Sequence, residues 1–141
     1  GKWFPDLLKE KGCNIEECDN LDIREFINDM PVCLAAADLV ICRAGAMTIS
    51  ELQAQGKPAV LIPSPNVAEN HQYHNAMSLV NANAARIIEE KDLTPEKLTE
   101  TVDEMVKDPQ RLNEYAENAK KTAILDSNER ILSIIKKFVK L

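Results

Sequence analysis

"LVICRAGAMTISELQAQG", residues 39–56, decides the fold. It opens on a short apolar run that breaks at Arg43 and turns through Ala44, Gly45 and Ala46. Apolar positions then return with a helical period, and Gly56 supplies the usual stop after a last helical turn. A strand, a tight turn of tiny residues and a helix, in that order, open a βαβ unit. Within that helix Glu51 reads as a buried carboxylate, and Met47 and Leu52 as residues packing on the sheet.

The alternation extends both ways. "LDIREFI" (21–27) is short, β-branched and aromatic and predicts a strand. "NDMPVCLAAA" (28–37) predicts a helix with Asp29 at its cap and Pro31 in its first turn. "DLVIC" (38–42) and "KPAVLIP" (57–63) are apolar without alternation, the pattern of strands buried on both faces. "AENHQYHNAMSLVNAN" (68–83) predicts a helix and "AARIIEE" (84–90) a strand. The alternation then stops. Thr94 with Pro95, Asp108 with Pro109, and Ser127 mark three helix starts, reaching about Lys107, about Leu125 and the carboxyl end. The class is α/β, a parallel sheet built from right-handed crossovers, with an α/β part over about 20–90 and a helical tail over about 95–141. "GKWFPDLLKEKG" opens the chain as a helix with no strand before it, so the chain reads as part of a larger domain.

Composition excludes several classes. The 141 residues carry a formal net charge of −6 and no basic stripe, which argues against nucleic acid. Aromatics are only 4%, so the core is expected to be aliphatic and alanine-rich. No apolar run approaches a membrane span of about 18 residues, and the sequence shows no signal-peptide pattern. The cysteines, at 13, 18, 33 and 42, show no C-x-x-C spacing and read as reduced thiols of a cytoplasmic protein.

Chemistry is expected beyond the carboxyl ends of the strands, where open parallel sheets bind ligands. After "DLVIC" the small residues let a ligand approach the backbone, and the helix amino terminus attracts an anion such as a diphosphate. Thr48 and Glu51 share a helix face, and a carboxylate there can accept two hydrogen bonds from a vicinal diol. After "AVLIP", His71 and Gln72 stand near a helix start and can read sugar hydroxyls. His71 and His74 lack a third ligand nearby, so no metal is expected. No P-loop, G-x-G-x-x-G or nucleophile elbow is present. A turn of this kind is also what any βαβ unit needs, and Glu51 alone could be a solvated surface acid.

The stretch "DLVICRAGAMTISELQAQGKPAVLIPSPNVAENHQYHNA" resembles the carboxyl-terminal domain of MurG-type glycosyltransferases of glycosyltransferase family 28, over about residues 20–130. The joint spacing of R-A-G-A-x-T-x-S-E and E-N-x-Q-x-x-N-A carries the resemblance. It implies the Rossmann-like, donor-binding half of a GT-B enzyme. That family moves N-acetylglucosamine from UDP-N-acetylglucosamine to undecaprenyl-diphosphoryl-N-acetylmuramoyl-pentapeptide, on the inner face of the bacterial membrane, without a metal or cofactor. By position, Ile27 would meet the uracil edge with Phe26 and Met30 walling that pocket. Gly45, Ala46, Met47, Thr48, Ile49 and Ser50 would form the nucleotide turn and helix, with Glu51 on the ribose. Gln72 would bind the sugar, and His71 stands where some members carry glutamine. Arg43 matches the motif as a possible brace of the turn. Members that use other acceptors, and non-catalytic nucleotide-binding modules, remain alternatives.

The departures from the family carry expectations of their own. The family's amino-terminal domain, with its glycine-rich loops, acceptor base and membrane patch, has no counterpart in these residues. Neither do the first two strands of the donor domain, which lie between the strands expected at 21–27 and 38–42 in the order 3-2-1-4-5-6. Catalytic residues are therefore not expected here, and the chain alone is expected to be inactive. Unpaired sheet edges are expected to recruit an oligomer or to rearrange. In the family the last helix crosses back to the other domain, so the apolar stripe of "ILSIIKKFVKL" is expected to be sticky.

Overall fold

The computed structural model describes residues 4–12 and 17–139. Gly1–Met30 and Pro31–Leu141 form two compact units. In the first, α1 is Phe4–Glu10. Cys13 lies outside the described residues.

The second unit holds the sheet. Helix α2 (Met30–Ala36) leads to β1 (Val40–Cys42), α3 (Ala46–Gln55), β2 (Ala59–Leu61), a 3-10 turn (Ala68–Asn70), α4 (His71–Asn81) and β3 (Ala85–Ile87). Helices α5 (Pro95–Val106), α6 (Pro109–Lys121) and α7 (Ser127–Phe138) follow. The strands pair in parallel in the order β1-β2-β3, with Cys42 opposite Leu61 and Leu61 opposite Ile87. Central β2 is wholly buried, and its alternating side chains feed two cores. Ala59 and Leu61 join Ile49 and Leu52 of α3, Ala76 and Leu79 of α4 and Ala119 of α6. Val60 joins Ile88, Met105 and Tyr115. Helices therefore cover both faces, the α/β arrangement expected, and alanine outnumbers leucine among the buried residues.

Local chemistry explains the boundaries. Gly56 takes φ 63°, ψ 52°, and Lys57 N–H reaches back to Leu52 O at 2.9 Å, closing a left-handed cap on α3. Lys57 Nζ donates to Ala35 O and Ala37 O at 2.8 and 2.9 Å, placing a cation on the carbonyls ending α2. Thr94 Oγ1 accepts from Lys97 N, and Asp108 Oδ1 from Gln110 N and Arg111 N, each at 3.1 Å, with proline opening both helices.

Four expectations need correction. Residues 21–27 form no strand. A strand is held by a neighbour's backbone, and no described residues pair with these; Arg24 instead ties Asp22 and Asp29. Strand β1 is not buried on both faces, because it is an edge: Ile41 is 46% exposed. Ser127 is the first helical residue rather than the cap, which is Asp126. On α3, Ile49 and Leu52 define the buried face, and Met47 and Glu51, one turn apart, lie on the exposed one. Met47 is 76% exposed, so neither it nor Glu51 packs on the sheet.

Candidate functional site

Strands β1 and β2 are neighbours, so the turn after one and the loop after the other share one rim of the sheet. That is where a parallel sheet offers its ligand crevice. Fully buried Ala44 anchors the turn, and Gly45 is the cap of α3, at φ −66°, ψ 148°. Gly45 O accepts Ile49 N–H at 2.9 Å, starting the helical ladder. The amides of Ala46, Met47 and Thr48 precede that bond and have no carbonyl one turn back. No side chain caps them. They are free to meet an anion, and the helix dipole favours one.

Glycine at 45 is not demanded by the backbone. Its φ is open to any residue, and an added Cβ would meet only Thr48 Oγ1, at 3.7 Å. The missing side chain instead leaves the outer surface of the turn bare, as close approach of a ligand requires. The other members of the stretch divide. Thr48 and Glu51 stand together on the outer part of α3, and Glu51 is exposed with no hydrogen bond among the described residues. Ser50 Oγ is committed to Ala46 O at 3.1 Å. Ile49 is in the core, so its side chain cannot reach a ligand.

Helix α4 faces this turn from the neighbouring strand end. Gln72 Oε1 accepts Ser64 N–H at 2.9 Å, and Asn75 Nδ2 donates to Ala44 O at 3.1 Å. Both side chains lie on one face of α4, a turn apart. His71 Nδ1 lies 2.9 Å from Ala68 O. A carbonyl only accepts, so Nδ1 is the donor in this contact, which leaves Nε2 as the ring nitrogen open to a ligand. Ahead of His71, Glu69 and Asn70 take left-handed φ values of 51° and 52°. Such backbone is costly for glutamate and collects at functional sites. His74 is exposed, with its ring edge-on to Tyr73, and no group of three or more metal-ligating side chains occurs among the described residues.

Arg43 braces the rim. Its Nη1 donates to Ile62 O at 3.3 Å and pairs with Glu90, which follows β3. The guanidinium therefore spans the ends of all three strands. Sequence reading anticipated a brace but not Glu90 as its partner, and it held Asn75 only as a letter of the quoted motif, without its bond to Ala44. Contacts between segments this far apart leave no local periodicity to read. Phe26 (74% exposed), half-buried Ile27 and exposed Met30 belong to the first compact unit.

Comparison with known proteins decides the family. Residues 5–131 match the model of the glycosyltransferase family 28 C-terminal domain. The chain belongs to this family. A relative from Acetivibrio thermocellus, named UDP-N-acetylglucosamine--N-acetylmuramyl-(pentapeptide) pyrophosphoryl-undecaprenol N-acetylglucosamine transferase, is 49% identical over 121 residues, 86% of this chain and 33% of the relative. One of the same name from Bacillus cytotoxicus is 42% identical over 96% of this chain and 36% of its own length. The crystal structure of Acinetobacter baumannii MurG superposes with a TM-score of 0.77 at 34% identity, over 82% of this chain and 35% of that one. A glycotransferase of kitacinnamycin gives 0.64 at 25% identity, over 84% of this chain and 30% of that one. The chain thus spans about a third of the length of these curated relatives. Within a family 28 domain, the turn at Gly45 and the helix at His71 are parts of one rim joined by side-chain bonds.

Proposed function

We propose that this chain is the donor-binding part of a hexosyltransferase that moves N-acetylglucosamine from UDP-N-acetylglucosamine to undecaprenyl-diphosphoryl-N-acetylmuramoyl-pentapeptide. The observation that carries the reading is the joined rim: a bare helix amino terminus beside hydroxyl-reading side chains, in a chain up to 49% identical to transferases of that name. The open N–H groups of Ala46, Met47 and Thr48 take the diphosphate. Glu51 takes the ribose hydroxyls, and Gln72 and His71 take the sugar. Ile27, with Phe26 and Met30, takes the uracil.

The reaction is an inverting displacement without a metal. An acceptor hydroxyl attacks the anomeric carbon, the bond to the diphosphate breaks, and UDP leaves. Charge grows on the diphosphate as that bond breaks, and N–H groups already aimed at it stabilise it without reorganising. The base, the acceptor site and the contact with the inner face of the membrane lie in the rest of the protein. No helix among the described residues is long and apolar enough to cross a membrane.

Titration of the full-length protein with UDP, UDP-N-acetylglucosamine and UDP-galactose tests this. The expected order places UDP-N-acetylglucosamine well ahead of UDP-galactose, and Glu51→Ala weakens all three by about tenfold, the worth of a charge-assisted hydrogen bond. Preference for UDP-galactose would make the chain part of another family 28 transferase. Tight UDP binding with no transfer to any lipid-linked acceptor would make it a nucleotide-binding module.

A further inference from the structure

Asn75 has no part in the nucleotide contacts assigned above, yet its bond reaches the turn that makes them. Its Nδ2 donates to Ala44 O, the carbonyl of the peptide that joins Ala44 to Gly45. That peptide is trans, so its C=O and N–H point in opposite directions. With the carbonyl turned toward α4, the Gly45 N–H is turned away from α4, on the side opposite Asn75. The next peptides are fixed in turn, because Gly45 O is held by Ile49 N–H at 2.9 Å. One side chain on α4 thereby sets how the turn before α3 presents its donors. Ala44 is fully buried, so water cannot replace the bond at its side chain's expense. A turn earlier on α4, Gln72 is tied to Ser64 N, so the segment carrying His71 and Gln72 is held to both strand ends.

We propose that Asn75 is a positioning residue for the donor diphosphate: it orients the Ala44–Gly45 peptide so that the turn's N–H groups converge on the phosphates. This rests on the nucleotide-sugar reading above. Asn75 gains nothing from the uracil or ribose, so its loss removes affinity that depends on the diphosphate and leaves nucleoside affinity alone. A residue that merely stabilised the fold would lower both together.

The experiment measures dissociation constants of uridine and of UDP by titration of the full-length protein, as wild type, Asn75→Ala and Asn75→Asp. Wild type is expected to bind UDP far more tightly than uridine. Both variants are expected to lose about tenfold in UDP affinity with uridine affinity unchanged, Asn75→Asp more because a carboxylate facing Ala44 O cannot donate. Asn75→Asp keeps the side-chain volume, so it remains informative where Asn75→Ala melts below the assay temperature. An unchanged ratio of UDP to uridine affinity in the folded variants overturns the positioning role. A wild type that binds UDP no better than uridine overturns the nucleotide reading itself, whatever the variants do.

Discussion

Gln72 turns its amide oxygen onto Ser64 N–H, at 2.9 Å, so the side chain meets the rim with its NH2 group outward. That orientation has a polarity. The backbone donor consumes the acceptor end of the amide, leaving two donor hydrogens for a ligand. Gln72→Glu keeps the bond to Ser64 but removes both donors and adds a negative charge near the proposed diphosphate. The expected outcome is a loss of UDP-N-acetylglucosamine affinity of more than about tenfold with little change in melting temperature. Gln72→Ala should lose affinity and also about 1 kcal/mol of stability, because Ser64 N–H loses its partner. Titration beside thermal melting separates the two effects. Equal donor affinity in Gln72→Glu and wild type would remove Gln72 from the site.

Gly56 and Lys120 test how α3 is held to α6. A Cβ on residue 56 would stand 2.5 Å from Lys120 Cε and Cγ, and φ there is 63°. Gly56→Ala therefore meets two penalties. The left-handed backbone costs about 1 kcal/mol or more and stays whatever the neighbours do. The clash is relieved when the flexible lysine stem moves. Urea denaturation should show about 1–2 kcal/mol lost in Gly56→Ala, with part recovered in Gly56→Ala/Lys120→Ala. Full recovery in the double variant would mean the backbone carries no strain.

The sequence was most legible where a local rule fixes structure. The proline-led helix starts after Thr94 and Asp108, the glycine stop at 56 and the apolar runs at β1 and β2 need only neighbouring residues. Residues 21–27 misled because strand propensity says nothing about whether a ladder partner exists. Glu51 and Met47 misled because the apolar period of α3 has two readings, and Ile49 with Leu52 took the core. The bonds Asn75–Ala44 and Arg43–Glu90 join residues 31 and 47 apart, and only the fold brings such pairs together. Quoting R-A-G-A beside E-N-x-Q-x-x-N-A located the rim, but not which side chains face a ligand and which hold the backbone.

Cys42 gives a pH-dependent handle on the end of β1. Partial burial pushes its thiol up from 9.0 to about 11. The protonated thiol is the form the folded state favours. Its contribution to stability is therefore complete below about pH 9 and lost as pH rises toward 11. Two outcomes follow. At pH 8, iodoacetamide should label Cys42 far more slowly in the native chain than in urea, read by mass spectrometry, because the thiolate is the reacting form. Between pH 9 and 11 the melting temperature of wild type should fall more steeply than that of Cys42→Ala. Parallel slopes would show that Cys42 titrates alike in both states.

The open edge of β1 sets the behaviour of the 141-residue chain by itself. Val40 N–H bonds Pro58 O and Cys42 O accepts Ile62 N–H, so Val40 and Cys42 turn their backbone toward β2. Alternation along a strand then turns the N–H and C=O of Ile41 to the other side, where no described strand pairs with them. Ile41 adds an apolar side chain that is 46% exposed. An unpaired edge with an apolar side chain is a template for a second strand. Sedimentation of the 141-residue chain is expected to show concentration-dependent association. Ile41→Lys should shift the distribution toward monomer, since an edge lysine opposes strand addition without disturbing the ladder to β2. Association that persists unchanged in Ile41→Lys would move the contact to the apolar side of α7, where Ile131, Leu132, Ile134 and Ile135 are all exposed. A stable monomer at high concentration would mean that neither surface drives assembly.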